Sequence, residues 1–263
     1  LHIHKNNKAS KNIKLFILAL LFSGIFSCIG IAQTIIINTV DYKLNADDTV
    51  GIARMIKFEA EIYNGLFDEP IPDSLPVIIN LFKSRNSFKR GLGINSDLVS
   101  PDGYYNSQNR QCYVYKSSDY LNVIFHEVSH RFMHFHNYMN VPRWINEGLS
   151  EFFEGLYFKE KKYIYVDQQS GRLKRVREYL KSKQLNLQQF LNRQTDVTWN
   201  KKEEATFHYD VAYSIVYYIV KNRPHRIKEI LTALKKGKSS FNAIACAYGS
   251  YETFENGFRE FYQ

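Results

Sequence analysis

Residues 126–130 read His126-Glu127-Val128-Ser129-His130, and residues 144–151 read Trp144-Ile145-Asn146-Glu147-Gly148-Leu149-Ser150-Glu151. On a helix, positions i and i+4 share a face, so the first stretch sets two imidazoles side by side. Val123, Ile124, Phe125 and Val128 make that helix strongly apolar. Buried imidazoles need polar partners, and a metal ion is the simplest one that serves both. Glu127, beside the first of them, is positioned to act as general base on a metal-activated water.

A catalytic zinc takes three protein ligands and keeps one position open. His136 follows His126 by ten positions, a spacing known for a third ligand. That arrangement needs a glycine at position 133 to break the helix, and position 133 is methionine. In an unbroken helix His136 rotates off the metal face, and His134 lies about 6 Å too far along the axis. Glu147 is the better candidate. Asn140 and Pro142 permit a turn, and a returning helix brings Glu147 opposite His126 and His130. Glu151, one turn further, is placed to accept from the outer nitrogen of a ligand histidine.

Outward from these two helices, the pattern is strands early and helices late, which is α+β. An amphipathic helix is expected over 49–66, a buried strand over 75–82 and a short helix or loop over 83–92. A hairpin follows, with arms 103–106 and 111–115. Helices are then expected over 120–136 and 142–158, with a small strand at 163–166. The remainder is helical by period: 171–183, 187–192, 205–222, 224–236 and two shorter segments.

The N-terminus has a different character. Lys5, Lys8, Lys11 and Lys14 stand in an acid-free segment and supply almost half of the net charge of +9. A twelve-residue apolar run follows over 15–26, then Ser27, Cys28, Gly30 and Ala32. This is the order of a secretory leader, assigned to residues 1–32. Three readings stay open: cleavage after Gly30-Ile31-Ala32, lipidation of Cys28 in Ile25-Phe26-Ser27-Cys28, or an uncleaved anchor lengthened by Ile35–Ile37. The last two imply membrane association through the N-terminus, and all three put the body outside the cytoplasm. Cys112 and Cys246 either pair or stay as buried thiols. The modest positive balance of the body gives no reason to infer a nucleic-acid partner. With 19 tyrosines and 19 phenylalanines, the chain has ample material for an aromatic core.

H-E-x-x-H followed by N-E-x-x-S-E resembles the gluzincin, thermolysin-like zinc metallopeptidases. More closely, HEVSHRFMHF and VPRWINEGLSEFFE resemble the peptidase MA-like family of secreted or membrane-associated bacterial proteins. The likeness extends over about 75–262, with its specific part at 126–151. It implies a small mixed sheet over the H-E-x-x-H helix followed by a helical lobe. Residues 75–263 would be the catalytic domain, and 33–74 an extension carrying the amphipathic helix. It implies one Zn²⁺ held by His126, His130 and Glu147, with Glu127 as the base, Asn146 and Glu151 as outer partners, and a peptide or protein as substrate. Such enzymes also use a tyrosine or histidine donor to stabilise the oxyanion. Tyr209 in FHYDVAYSIVYY matches the family position, with Tyr213, His208 and His225 as rivals. The competing expectation is a non-catalytic envelope-associated binding or assembly module that keeps the fold.

Overall fold

The computed structural model describes residues 34–263 apart from 68, 93–101, 160–162, 167, 193–198 and 200–201. The leader expected over 1–32, with Cys28, lies outside the described residues. Among the described residues, no helix is long and apolar enough to cross a membrane.

The architecture is α+β, a small mixed sheet with mostly helical surroundings. Strands β1 (Ile35–Val40), β2 (Val77–Phe82), β3 (Gly103–Asn106) and β4 (Gln111–Tyr115) lie in the order β1-β2-β4-β3. β1, β2 and β4 run parallel, and β3 closes one edge antiparallel to β4. Alternation sets the faces. Ile79, Cys112 and Tyr105 fall in one cross-strand row, and Leu81, Val114 and Gly103 in the next. All six are buried. The other face carries amides, with Asn38 donating to Asn80 and Asn80 to Gln111.

Helix α1 (Ala46–Leu66) joins β1 towards β2. Asn45 caps it by accepting from the Asp48 N–H, and Asp47 and Asp48 suit the positive end of its dipole. Its stripe of Ile52, Met55, Ile56, Ala60 and Tyr63 is buried. The described residues from 34 to 263 belong to one compact unit. Residues 35–66 supply a strand of the sheet and a helix of the core. Ile35–Ile37 belong to β1 and do not prolong the leader as a helix. Their β-branched run reads as either apolar leader or strand until its partner β2 is known.

After α2 (Arg85–Leu92) and the β3–β4 hairpin comes α3 (Tyr120–Phe135), which carries His126 and His130. It ends where Asn137 takes a left-handed conformation, φ 60°, and the Tyr138 N–H reaches back to the Met133 carbonyl. α4 (Arg143–Phe153) follows. Contacts run in opposite order along the two helices. His130 meets Asn146, His126 meets Glu154, and Asn122 donates to the Glu154 carbonyl. The pair is thus antiparallel. α4 is buried from Trp144 to Phe153.

The expected continuation of α4 to 158 is not found. The helix ends at Phe153, and β5 (Leu156–Lys159) pairs antiparallel with β6 (Tyr163–Val166). The aromatic run around Phe158 satisfies helical and strand periods alike, and the nearby partner strand decides. The lobe is completed by α5 (Ser170–Lys181), α6 (Leu187–Asn192), α7 (Lys202–Asn222), α8 (Arg226–Lys235), α9 (Ser240–Tyr248) and α10 (Tyr251–Tyr262). Cys112 is buried in β4 and Cys246 exposed on α9, and both are free thiols.

α7 crosses α4 at Gly148. A Cβ there would lie 2.6 Å from the Ala212 carbonyl oxygen and 2.8 Å from a Val216 methyl. Alanine is the better helix former by about 1 kcal/mol. Gly148→Ala is nevertheless expected to destabilise by about 1–3 kcal/mol, because a backbone atom must move. Urea unfolding tests this, and an equal or raised midpoint would refute the close crossing.

Candidate metal centre

His126 and His130 project from α3 towards α4, where Glu147 meets both. The His126 Nε2 and His130 Nε2 atoms are 3.1 Å apart, and Glu147 Oε2 lies 3.5 Å from the first and 3.6 Å from the second. Ligand atoms at about 2.0–2.1 Å from a tetrahedral zinc are separated by about 3.3–3.4 Å. The three donors therefore already hold the spacing of one ligand triangle.

Outer contacts set which nitrogens are free. His130 Nδ1 lies 2.9 Å from Asn146 Oδ1, an acceptor, so its proton belongs there and Nε2 is bare. Ser150 Oγ stands 3.3 Å from the same Nδ1. His126 Nδ1 lies 3.1 Å from Glu154 Oε1, an ion-pair contact without hydrogen-bond alignment, and the nearby acid favours a proton on the outer nitrogen. Glu147 Oε1 accepts from Arg143 at 3.1 Å, leaving Oε2 for the centre. Arg143 in turn rests over the Trp199 ring. Two imidazole nitrogens and a carboxylate oxygen thus converge with lone pairs inward.

The electrostatics follow from burial and these partners. Burial pushes His130 down to about 4, so it is neutral. Burial also opposes charge on His126, but Glu147 and Glu154 outweigh it and raise its pKa well above normal. Burial would raise Glu147, yet His130, His126 and Arg143 hold it at about 2. Glu127 is different. Burial pushes it up to about 7, against the pull of His126, with Glu147 and Glu154 adding to the rise. The Tyr105 N–H of β3 bonds to it. Gly103 lies against it too, since a Cβ there would sit 2.5 Å from Glu127 Oε1 and 2.4 Å from a Val123 methyl.

The expected residues are distributed as follows. His126, His130, Glu127, Glu147 and Asn146 come together. Glu151 does not take the place expected for it. Its nearest oxygen is 3.8 Å from His126 Nδ1, beyond hydrogen-bond reach, and Glu154 stands closer. The Glu151 carboxylate is drawn to Arg172 of α5. Tyr209 on α7 is half-buried, and Glu147, ahead of burial, raises its hydroxyl far above normal, with Glu151 and Glu127 contributing. Its hydroxyl therefore feels the whole carboxylate cluster. The rivals have other surroundings. The Tyr213 hydroxyl accepts from the Gln169 N–H, His208 stacks on Trp199, and His225 is exposed before α8. His136 stacks on Phe67 at 4.0 Å, and His134 Nδ1 pairs with the Tyr105 hydroxyl at 2.7 Å.

Sequence reasoning missed Glu154, Arg143, Arg172 and Gly103. Glu147, Glu151 and Glu154 stand at i, i+4 and i+7, a single helix stripe that points to Glu154. No pattern in the sequence points to Arg172, which arrives from another helix.

A family model described as a protein of unknown function, DUF1570, matches residues 121–240, the stretch from α3 to the first residue of α9. It contains the three donors, Glu127 and Tyr209. No curated protein matches the chain.

Glu127 supplies a stability prediction for the metal-free chain. Its carboxyl titrates near 4.5 when unfolded and about 7 when folded. The folded state is thus favoured while the group stays protonated, and that advantage is lost as pH rises through 7. Glu127→Gln removes the buried charge and keeps an acceptor for the Tyr105 N–H. With chelator present it should stabilise the chain at pH 8 by up to about 3 kcal/mol, fading towards pH 5. Melting curves with equal differences at both pH values would show that Glu127 is not a buried, raised acid.

Proposed function

We propose that the protein is a zinc-dependent metallopeptidase of the peptidase MA-like, thermolysin-like kind, hydrolysing peptide bonds outside the cytoplasm. The observation that carries this reading is the inward triangle of His126, His130 and Glu147 with Glu127 buried beside it. The residues fit zinc by donor type and spacing, and each ligand has an orienting partner. When bound, the ion supplies Lewis acidity towards the scissile carbonyl and towards water.

The chain's own groups supply the rest. Glu127, with a pKa near neutrality, takes a proton from the attacking water and returns it to the departing amine. The raised pKa of Tyr209 keeps its hydroxyl protonated, as a donor to the developing oxyanion must be. β3 is the edge strand next to Glu127, and a peptide substrate adds to that edge by backbone hydrogen bonds. Arg143 keeps the Glu147 carboxylate ionised and turned inward. Lipidation at Cys28 or an uncleaved leader would tether this body to a membrane, and cleavage would release it.

The purified chain is expected to bind about one zinc, and His126→Ala, His130→Ala or Glu147→Ala should each lose most of it. Metal analysis by mass spectrometry is the measurement. Full zinc retention in Glu147→Ala would remove it from the ligand set.

Two substitutions test turnover against a broad peptide library. Glu127→Gln should keep the zinc and lower kcat by about 10²–10⁴-fold. Tyr209→Phe should lower kcat by about 10²-fold with little change in KM. A zinc-loaded wild type that cleaves nothing would support the binding-module reading. Tyr209→Phe activity equal to wild type would take the oxyanion role from that residue.

A further inference from the structure

Behind His126 stand two carboxylates, of which the proposed chemistry uses only Glu154, as an outer contact of the imidazole. Glu154 Oε1 is 3.1 Å from His126 Nδ1, and Glu151 Oε1 is 3.8 Å from it. With His126 they form a second group of metal-donor spacing that shares an imidazole with the first. Glu151 is almost fully buried. Two adjacent buried carboxylates repel each other unless a cation stands between them or one takes up a proton.

Arg172 is that cation. Its guanidinium pairs with Glu151 Oε2 and lies 3.4 Å from Glu154 Oε2. The side chain is itself held in place. Its Nε donates to Gln169 Oε1 at 2.5 Å, and its other amino group lies 3.4 Å from Asp210 Oδ1. Asp210, fully buried, is held in a bidentate pair by Arg175 at 2.5 and 2.6 Å. Gln169 also donates from its side chain to the Glu151 carbonyl, so the start of α5 is fastened to the end of α4.

We propose that Arg172 is a positioning residue for the metal centre: as the resident cation of the Glu151–Glu154 pair, it holds Glu154 against His126 Nδ1 and so aims His126 Nε2 at His130 and Glu147. This rests on the metal-centre reading above. Without the guanidinium, Glu154 loses the contact that keeps it beside the His126 ring. Lysine restores the charge, but its one nitrogen cannot meet the acids, Gln169 and Asp210 together as the three guanidinium nitrogens do.

The test is zinc affinity by competition with a chromophoric chelator, together with the visible absorption of the cobalt-substituted protein. Arg172→Met is expected to weaken zinc binding by about 10–100-fold and to alter the cobalt bands. Arg172→Lys should fall between that variant and wild type. Phe254→Leu shrinks a fully buried ring on α10, outside this network. It should lower the melting temperature while leaving zinc affinity and the cobalt spectrum unchanged, which separates positioning from general stability. If Arg172→Met fails to fold, Arg172→Lys alone decides, with weaker binding supporting the proposal and wild-type binding overturning it. Wild-type affinity in a folded Arg172→Met overturns this inference alone, provided His126→Ala abolishes binding. A wild-type chain that takes up no zinc overturns the metal reading, and this inference with it.

Discussion

Four glutamates and two histidines converge between α3, α4 and the edge of the sheet, and the rest of the structure is arranged around the cost of burying them. An unpaired buried carboxylate is strongly disfavoured, so each must find a cation, a donor or a proton. Glu147 finds Arg143 and the imidazoles and stays ionised at about 2. Glu127 finds one backbone N–H and apolar walls and rises to about 7. Two acids on facing helices are thus separated by their surroundings into a permanent anion and a group that exchanges a proton near neutrality. Such a division is what metal-ligand and general-base roles require.

Packing fixes the positions that make this possible. Tyr63 of α1 stacks near Phe153 of α4 and leans on Phe132 of α3, so one aromatic cluster holds the helix pair from behind. Its hydroxyl meets Ser129, inside the H-E-x-x-H stretch itself. In front, Gly103 lets β3 approach Glu127, and Gly148 lets α7 approach α4 directly after Glu147. Trp144 fastens the start of α4 to Ser240 of the helical lobe. The centre is thus bounded by elements distant in sequence, each admitted by a small or flat side chain.

This explains what could be read in advance. Period and composition suffice for α3, α4 and the β3–β4 hairpin, because each buries a face of its own period. The spacing of His126, His130 and Glu147 suffices to expect these three side chains together, because helix geometry constrains it. β1 and β5 were not legible. Both are short strands that exist through a partner, and neither Ile35–Val40 nor Leu156–Lys159 announces that partner locally. The assignment of Glu151 as the imidazole acceptor failed for a related reason. Helical spacing brought it near His126, but Arg172, 21 positions later, draws its carboxylate aside and leaves Glu154 nearer to Nδ1.

The third donor is a glutamate because of how α3 ends. Met133 keeps the helix intact through Phe135, and the turn comes only at Asn137, whose left-handed conformation is easier for asparagine than for most residues. His136 is thereby carried to the far side and packed against Phe67, where burial and Lys235 push it down to about 4. A third donor must then come from the next helix, and α4 brings Asn146, Glu147, Glu151 and Glu154 on neighbouring turns. These side chains therefore share one helix, and residues 136–142 set their position relative to the imidazoles. Any metal bound there ties α3 to α4 across that turn, so its binding energy adds directly to the stability of the helix pair.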